Sequence, residues 1–207
     1  MTILSKLAGA QGLKDESANI LLAQEIVDQQ NEAAVAELMA HLQDKKVQND
    51  CIKTLYEIAG RQPEMVKPYF NDFLQALKSK NNRIQWGAMT AIYELSKVAP
   101  SEILLHLDEL EQAAQSGSVI TRDNFLKSLA QLMRHTAYQE PAWKKLIKQL
   151  QEAPDNQFAM YAEETAATLP KEYAPPFTAL LEKRIVDLPK ESQQKRIQKI
   201  LKKLAKG

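Results

Sequence analysis

Cysteine and glycine are both scarce in this chain. Its only cysteine, Cys51, leaves no partner for an intramolecular disulfide. Because Cys51 falls in an apolar series described below, we expect it to be buried rather than catalytic. The six glycines are scattered singly. This spacing excludes a glycine-rich loop of the kind that cradles phosphates.

Patterns of catalytic residues are scarce as well. The three histidines are His41, His106 and His135, and only the stretch from His106 to Glu109 offers further potential metal ligands nearby, in a weak pattern. No histidine-cysteine pair and no serine-histidine-aspartate arrangement is visible. We therefore expect no metal, no other cofactor and no enzymatic activity.

The chain also lacks a long hydrophobic run. No stretch approaches the roughly 18 apolar residues that a membrane-spanning helix needs. Residues 1–17 have neither the basic start nor the unbroken apolar segment of a signal peptide. We therefore expect a cytoplasmic protein without a transmembrane segment.

Neither acidic nor basic residues are in clear excess over the whole chain, but the charges are unevenly distributed. The formal net charge of +1 divides into +6 for residues 190–207 and −5 for the other residues. A mildly acidic body with a basic end argues against binding nucleic acid along the whole chain, which would require a clearly basic stripe.

A repeat of 37 residues is the strongest positive feature. Three apolar series have this spacing: Cys51, Ala88, Phe125 and Ala162; Leu55, Ile92, Leu129 and Ala166; and Ile58, Leu95, Leu132 and Leu169. A separate leucine series recurs every 35 or 36 residues: Leu38, Leu74, Leu110, Leu146 and Leu181. A fixed period of this length is typical of stacked helical repeats, in which each unit covers the apolar face of the next.

Each repeat is predicted to contain two helices, A and B, because its apolar residues recur at steps of three and four. The A helices are predicted at 31–43, 66–79, 101–115, 140–152 and 173–187, and the B helices at 45–60, 82–98, 119–135, 156–169 and 190–205. Three parts are predicted along the chain: a tail and capping helix at 1–30, the repeat array at 31–189, and a basic C-terminal capping helix at 190–207.

Two segments resemble the second half of HEAT repeats: LQDKKVQNDCIKTLYEIA from Leu42, and LKSKNNRIQWGAMTAIYELS from Leu77. In both, a leucine ends one helix, and a polar turn and a β-branched residue precede a second helix of mixed small and large apolar side chains. The resemblance covers roughly residues 31–206. It implies a protein of the armadillo and HEAT superfamily, with a right-handed α-α superhelix, or solenoid, of about five HEAT-like helix pairs.

Two features depart from typical HEAT repeats. Val47 and Ile84 are followed by Gln48 and Gln85, where the family often has arginine, and the period of 37 residues is shorter than the usual range of about 40 to 47. Neither the tetratricopeptide signature nor the Thr-Pro-Leu-His turn of ankyrin repeats is present. The repeats are therefore best described as HEAT-like.

The resemblance implies that the B helices line a concave face, on which the exposed columns would form a binding ridge. The partner expected there is another protein, which makes the chain an interaction scaffold. The candidate contact residues are Trp86, Arg83, Lys53, Lys127, Glu94, Asn124, Asp123 and Tyr161.

Trp86 is the central candidate. Its equivalents in the neighbouring repeats are Asn49 and Asp123, so this column tends towards solvent, and a tryptophan in it is a potential interface anchor. The alternative is that Trp86 packs over the turn before its helix, with Arg83 covering the indole.

An alternative function, DNA binding or DNA glycosylase activity, would use some of the same residues. Some helical-repeat proteins that this chain resembles are DNA glycosylases for alkylated bases, and Trp86 and Asp123 share a column in successive repeats. The mixed charge of the ridge argues against it, because duplex binding needs a basic lining.

The basic C-terminal helix offers a third possibility, contact with nucleic acid or an anionic membrane surface. The same charges also suit a solvated capping helix, since cations near a helix C-terminus complement its dipole. The cations concerned are Lys195, Arg196, Lys199, Lys202 and Lys203.

Overall fold

The structure, a computed structural model, describes residues 2–206. Within that range it consists of helices and turns, with no β-strand. The α-helices are α1 (Ser17–Asp28), α2 (Glu32–Ala40), α3 (Gln48–Arg61), α4 (Phe70–Ala76), α5 (Asn82–Leu95), α6 (Pro100–Leu105), α7 (Leu107–Ser116), α8 (Val119–Leu132), α9 (Gln139–Gln151), α10 (Asp155–Ala166), α11 (Ala174–Ile185) and α12 (Glu191–Leu204). Short 3-10 helices lie at Ile3–Lys6, Pro63–Met65, Lys67–Tyr69, Thr136–Tyr138 and Lys171–Tyr173. Among the described residues, no helix has both the length and the apolar character to cross a bilayer.

The helix pairs lie where the sequence predicts them. The B helices are α3, α5, α8, α10 and α12, and the A helices are α2, α4, α6 with α7, α9 and α11. All five leucines of the A-helix series are buried, and in the three B-helix series only Ala166 and Leu169 are partly exposed. The repeat period therefore marks the buried face of each helix.

Two A helices depart from the predicted bounds. The helix predicted at 101–115 is divided at His106, whose N–H bonds to the carbonyl of Ile103 (3.2 Å) instead of continuing the α-helical ladder. The helix predicted at 66–79 begins only at Phe70, after a 3-10 turn that contains Pro68. Proline has no N–H to donate, so the tighter turn loses little there.

The contacts divide the chain into two compact units, one ending at Phe125 and the other beginning at Leu126. In unit 1, α3 lies between α1 and α5, while α2 packs on α3 and α4 packs on α5. The predicted capping helix α1 therefore heads a row of B helices, with Leu22 and Ile26 buried.

In unit 2, α10 packs against α12, with α9 beside α10 and α11 beside α12. Arg184 of α11 secures the turn after α9, because its guanidinium donates to the carbonyls of Gln151 and Ala153 (both 2.8 Å). The same group lies over the ring of Phe158, 4.5 Å from its centroid. Carbonyls at a helix end have no intrahelical partner, so Arg184 acts as a side-chain cap.

A buried polar network joins the segment before α1 to the rest of unit 1. The fully buried carboxamide of Asn19 accepts a hydrogen bond from the N–H of Ala8 (2.9 Å) and donates one to the carboxylate of Asp50 (2.8 Å). Asp50 accepts a second bond from the N–H of Gly9 (3.0 Å). One side chain therefore connects the N-terminal segment, α1 and α3.

Replacement of Asn19 should weaken unit 1. In Asn19→Ala the N–H of Ala8 and one oxygen of Asp50 lose a partner inside the protein, which should lower the free energy of unfolding by about 2 kcal/mol. Urea unfolding followed by circular dichroism measures this loss. Asn71→Ala is the control, because Asn71 is an exposed residue of α4. An equal, small effect of both substitutions would show that the network contributes nothing.

The thiol of Cys51 should be unreactive in the folded protein. Its side chain is fully buried, and burial raises the pKa of the thiol to about 12, so almost no thiolate forms near neutral pH. A colorimetric disulfide reagent should modify Cys51 only after denaturant is added. Rapid modification of the native protein would contradict the burial.

Candidate functional site

Trp86 lies on α5 beside an aromatic neighbour from α3. The centre of its ring lies 5.6 Å from the centre of the Tyr56 ring, and the two ring planes are tilted by 49°. Both residues are partly exposed. Between them, Gly87 permits the close approach of the two helices, since a Cβ there would lie 2.6 Å from Cγ1 of Ile52 and 3.5 Å from Cδ1 of Tyr56. The missing side chain therefore places Tyr56 against Trp86.

Cations cover these rings. The guanidinium carbon of Arg83 lies 5.8 Å from the ring of Trp86, and the ammonium of Lys53 lies 4.7 Å from that of Tyr56. These distances are within the range of cation–π attraction. In the turn after α5, the ammonium of Lys97 lies 4.9 Å from the centre of the Tyr93 ring. We name this surface the aromatic face and define it by Tyr56, Arg83, Trp86, Tyr93 and Lys97.

A chain of ion pairs runs beside the aromatic face. Lys53 lies 2.8 Å from Glu57 and 3.4 Å from Glu16, and Glu57 is also 2.6 Å from Arg61. Arg83 pairs with Glu16 as well. Glu16 precedes α1, so it links cations from α3 and α5. Among these residues each charge has a partner of opposite sign.

The surroundings hold Lys53 and Glu57 in their charged forms. Burial acts to lower the pKa of Lys53, but its hydrogen bonds to Glu57 and Tyr56 outweigh this effect and raise the pKa. Burial acts to raise the pKa of Glu57, but its hydrogen bonds to Arg61 and Lys53 lower the pKa overall. The pair therefore stays ionised over a wide pH range.

One donor in this region has no partner. The Nε atom of Arg83 is buried and makes no hydrogen bond, although the other end of the guanidinium pairs with Glu16. A buried donor without an acceptor costs free energy, so this atom slightly destabilises the folded protein.

Three of the eight candidate residues are not exposed, so the prediction of their exposure is wrong. Lys53 is buried because the carboxylates of Glu57 and Glu16 close over its ammonium. Asn124 is buried because it donates to the hydroxyl of Thr90 (2.9 Å). Tyr161 is fully buried in the core of unit 2. The buried stripe of α10 is wider than the repeat pattern implies.

The other candidates keep some contact with solvent. Trp86, Arg83 and Glu94 are partly exposed in unit 1, and Glu94 pairs with Lys97. Asp123 and Lys127 are half-exposed on α8. Both alternatives for Trp86 are visible, because Arg83 covers part of the indole while part of it faces solvent. Whether any of these residues contacts a partner stays a prediction.

Two contributors were missed by the sequence analysis. Tyr56 is not among the candidates predicted from the sequence, and its partly exposed position beside Trp86 depends on Gly87 in the next repeat. Glu16 gave no signal, because it reaches Lys53 and Arg83 across long stretches of chain. Within residues 2–206 no group of three or more histidine, cysteine, aspartate or glutamate side chains is placed to hold a metal ion.

Two solved structures with a similar fold are engineered proteins. The chain is 18% identical to a designed armadillo repeat protein, with 98% of each chain covered and a TM-score of 0.66. It is 16% identical to an engineered protein solved by the Northeast Structural Genomics Consortium, with a TM-score of 0.62 and coverage of 100% of this chain and 98% of the other. No protein-family model and no curated protein matches the chain. The prediction of an all-α, armadillo/HEAT-like helical-repeat fold is confirmed.

The ion pairs of Lys53 should stabilise the protein between two pH limits. Glu57, whose pKa is lowered on folding, stabilises above its unfolded pKa of about 4.3 and loses this effect as the pH falls through its folded value. Lys53, whose pKa is raised, stabilises below its unfolded pKa of about 10.4 and loses this effect as the pH rises through its folded value. The pairs should therefore contribute fully at neutral pH.

The variant Lys53→Met keeps most of the side-chain volume and removes the charge. It should unfold with about 1 kcal/mol less free energy at neutral pH, and the difference from the wild type should shrink below about pH 4. Urea titrations across this range measure it, with Lys45→Met at an exposed turn residue as the control. A deficit that is the same in acid and at neutral pH would assign the effect to packing alone.

Proposed function

We propose that the protein is a non-enzymatic, cytoplasmic protein-interaction scaffold and that its partner binds to the aromatic face. The observation that carries this proposal is the partly exposed indole of Trp86, set between the ring of Tyr56 and the guanidinium of Arg83. Tryptophan, tyrosine and arginine are the residues that most often dominate the binding energy of protein interfaces. Repeat folds commonly present such surfaces.

The rigidity of this surface favours binding. Gly87 sets the contact of α5 with Ile52 and Tyr56, and Thr90 donates to the carbonyl of Trp86 (2.8 Å) while accepting from Asn124. Side chains that are already ordered lose less conformational entropy when a partner binds. Trp86 is therefore a preorganised anchor.

The polar groups indicate what the partner would supply. The side chain of Arg83 is partly exposed beside Trp86, so an aromatic or amide group of the partner would stack on its planar guanidinium. The cations along this face are already paired: Lys53 with Glu57, Arg83 with Glu16, and Lys97 with Glu94. Attachment should therefore depend on aromatic contacts and hydrogen bonds more than on net charge.

The low net charge of the face separates this proposal from nucleic-acid binding. Phosphate binding by many unpaired cations gives an affinity that falls steeply with salt, whereas a neutralised surface gives a shallow dependence. Glu94, Asp123 and Lys127 stay candidates for secondary contacts that set the orientation of the partner.

Loss of the indole should remove the partner. Immobilised wild-type protein and Trp86→Ala should be compared for capture of proteins from a native lysate, with mass spectrometry as the readout. Because an interface anchor is lost, the affinity for a captured partner should fall by about 2 kcal/mol, roughly 30-fold. The captured protein is then titrated against each variant at two salt concentrations.

The matched control is Trp143→Ala, which removes an indole from α9 in unit 2, where it lies 5.1 Å from Tyr173. Arg83→Lys is a second test, since it retains the positive charge facing Glu16 and removes the planar guanidinium beside Trp86, and it should also weaken binding. Circular dichroism confirms that each variant is folded. A partner that Trp86→Ala binds as well as the wild type does, or one whose affinity collapses with salt, would contradict the proposal.

A further inference from the structure

A groove opens in unit 2 between the end of α10, the start of α11 and the last two turns of α12. Its volume is about 480 Å³, and six of its lining side chains are apolar, among them Ala166, Leu169 and Ile200. Four lysine and arginine side chains also line it, against the single carboxylate of Glu163. The groove therefore combines an apolar floor with a basic rim.

The groove exists because two apolar columns of the repeat are incomplete here. Ala166 is equivalent to Leu55, Ile92 and Leu129, all of which are fully buried. Leu169 is equivalent to Ile58, Leu95 and Leu132. Those three are fully buried, whereas Leu169 is partly exposed. An alanine where the other repeats have leucine or isoleucine leaves space unfilled, so apolar surface stays accessible.

The charge of the rim is only partly neutralised. Arg196 holds Glu163 in a two-pronged ion pair, with Nε 2.8 Å from Oε1, and this contact lowers the pKa of the carboxyl group. Lys199 and Lys203 lie one turn apart on α12, and among the described residues neither forms an ion pair. In unit 1, by contrast, the cations of the aromatic face have carboxylate partners.

We infer that this groove binds a medium-chain fatty-acid carboxylate, with the hydrocarbon chain on Ala166, Leu169 and Ile200 and the carboxylate between Lys199 and Lys203. Apolar surface and unpaired cations side by side match an anionic amphiphile in both of its parts. This inference concerns another unit and another ligand class than the proposed protein-binding function, so it stands or falls independently of it.

The size of the groove favours a small ligand over a protein. From Arg196 to Leu204 it extends over eight residue steps of α12, on the order of 12 Å at the α-helical rise. A stable protein interface buries about 800 Å² on each partner, more than a groove of this length supplies. A volume of about 480 Å³ lies within the range of roughly 300 to 1,000 Å³ that is usual for small-molecule sites.

Isothermal titration calorimetry with sodium dodecanoate, below its micelle concentration, tests the inference on the full chain. We expect saturable binding of one molecule per chain. Dodecanol should bind about tenfold more weakly because it gains nothing from the two cations. Dodecylamine, which is cationic, should bind more weakly still.

Two variants locate the ligand. Ala166→Leu restores the side chain found at the equivalent positions and fills the floor, so it should abolish binding without lowering the melting temperature. Lys199→Gln with Lys203→Gln should weaken dodecanoate about tenfold and leave dodecanol unchanged. The matched control is Lys195→Gln with Lys206→Gln, which removes two cations that do not line the groove and should bind dodecanoate as the wild type does.

Three results would overturn the inference. One is the absence of saturable dodecanoate binding, and a second is equal binding by the wild type and the double lysine variant. The third is binding to vesicles of anionic phospholipid without binding to monomeric dodecanoate, which would assign the basic rim to a membrane surface. If Ala166→Leu fails to fold, the lysine variants and the dodecanol comparison still decide between these results.

Discussion

The packing of each B helix against the next is the constraint on which the rest of the structure depends. A helix pair has no core of its own, so its apolar columns are buried only when the neighbouring pair covers them. In unit 1 this cover is complete, since α3 lies between α1 and α5 and its columns at Cys51, Leu55 and Ile58 are fully buried. Where a column is interrupted, as at Ala166, a groove opens.

The same packing sets the geometry of the aromatic face. Gly87 permits the close contact of α5 with Ile52 and Tyr56, and that contact places Tyr56 beside Trp86. Ion pairs also hold the two helices of this face together, because Glu16 pairs with Lys53 of α3 and Arg83 of α5. An exposed aromatic surface is stable here because its backbone is fixed by core packing and its charges are neutralised locally.

Local periodicity predicts only what depends on neighbouring turns of helix. The positions of ten A and B helices and the burial of the apolar columns follow from spacings of three, four and 37 residues, which are visible in the sequence. The burial of Lys53 and Tyr161 does not follow, because it depends on carboxylates and packing partners brought in by the fold. The network of Asn19 with Asp50 joins residues 31 positions apart, and no periodic pattern marks it.

The excess of positive charge in the C-terminal helix is related to the groove in unit 2. A basic C-terminal helix that served only to complement its own dipole would need cations in its last turn but no apolar floor beside them. Lys199 and Lys203 instead line a groove whose floor includes Leu169 and Ile200. Cations with carboxylate partners accompany the aromatic face, whereas Lys199 and Lys203 of the groove form no ion pair among the described residues. The two surfaces therefore differ in the chemistry that they can recognise, although both arise from the same repeat.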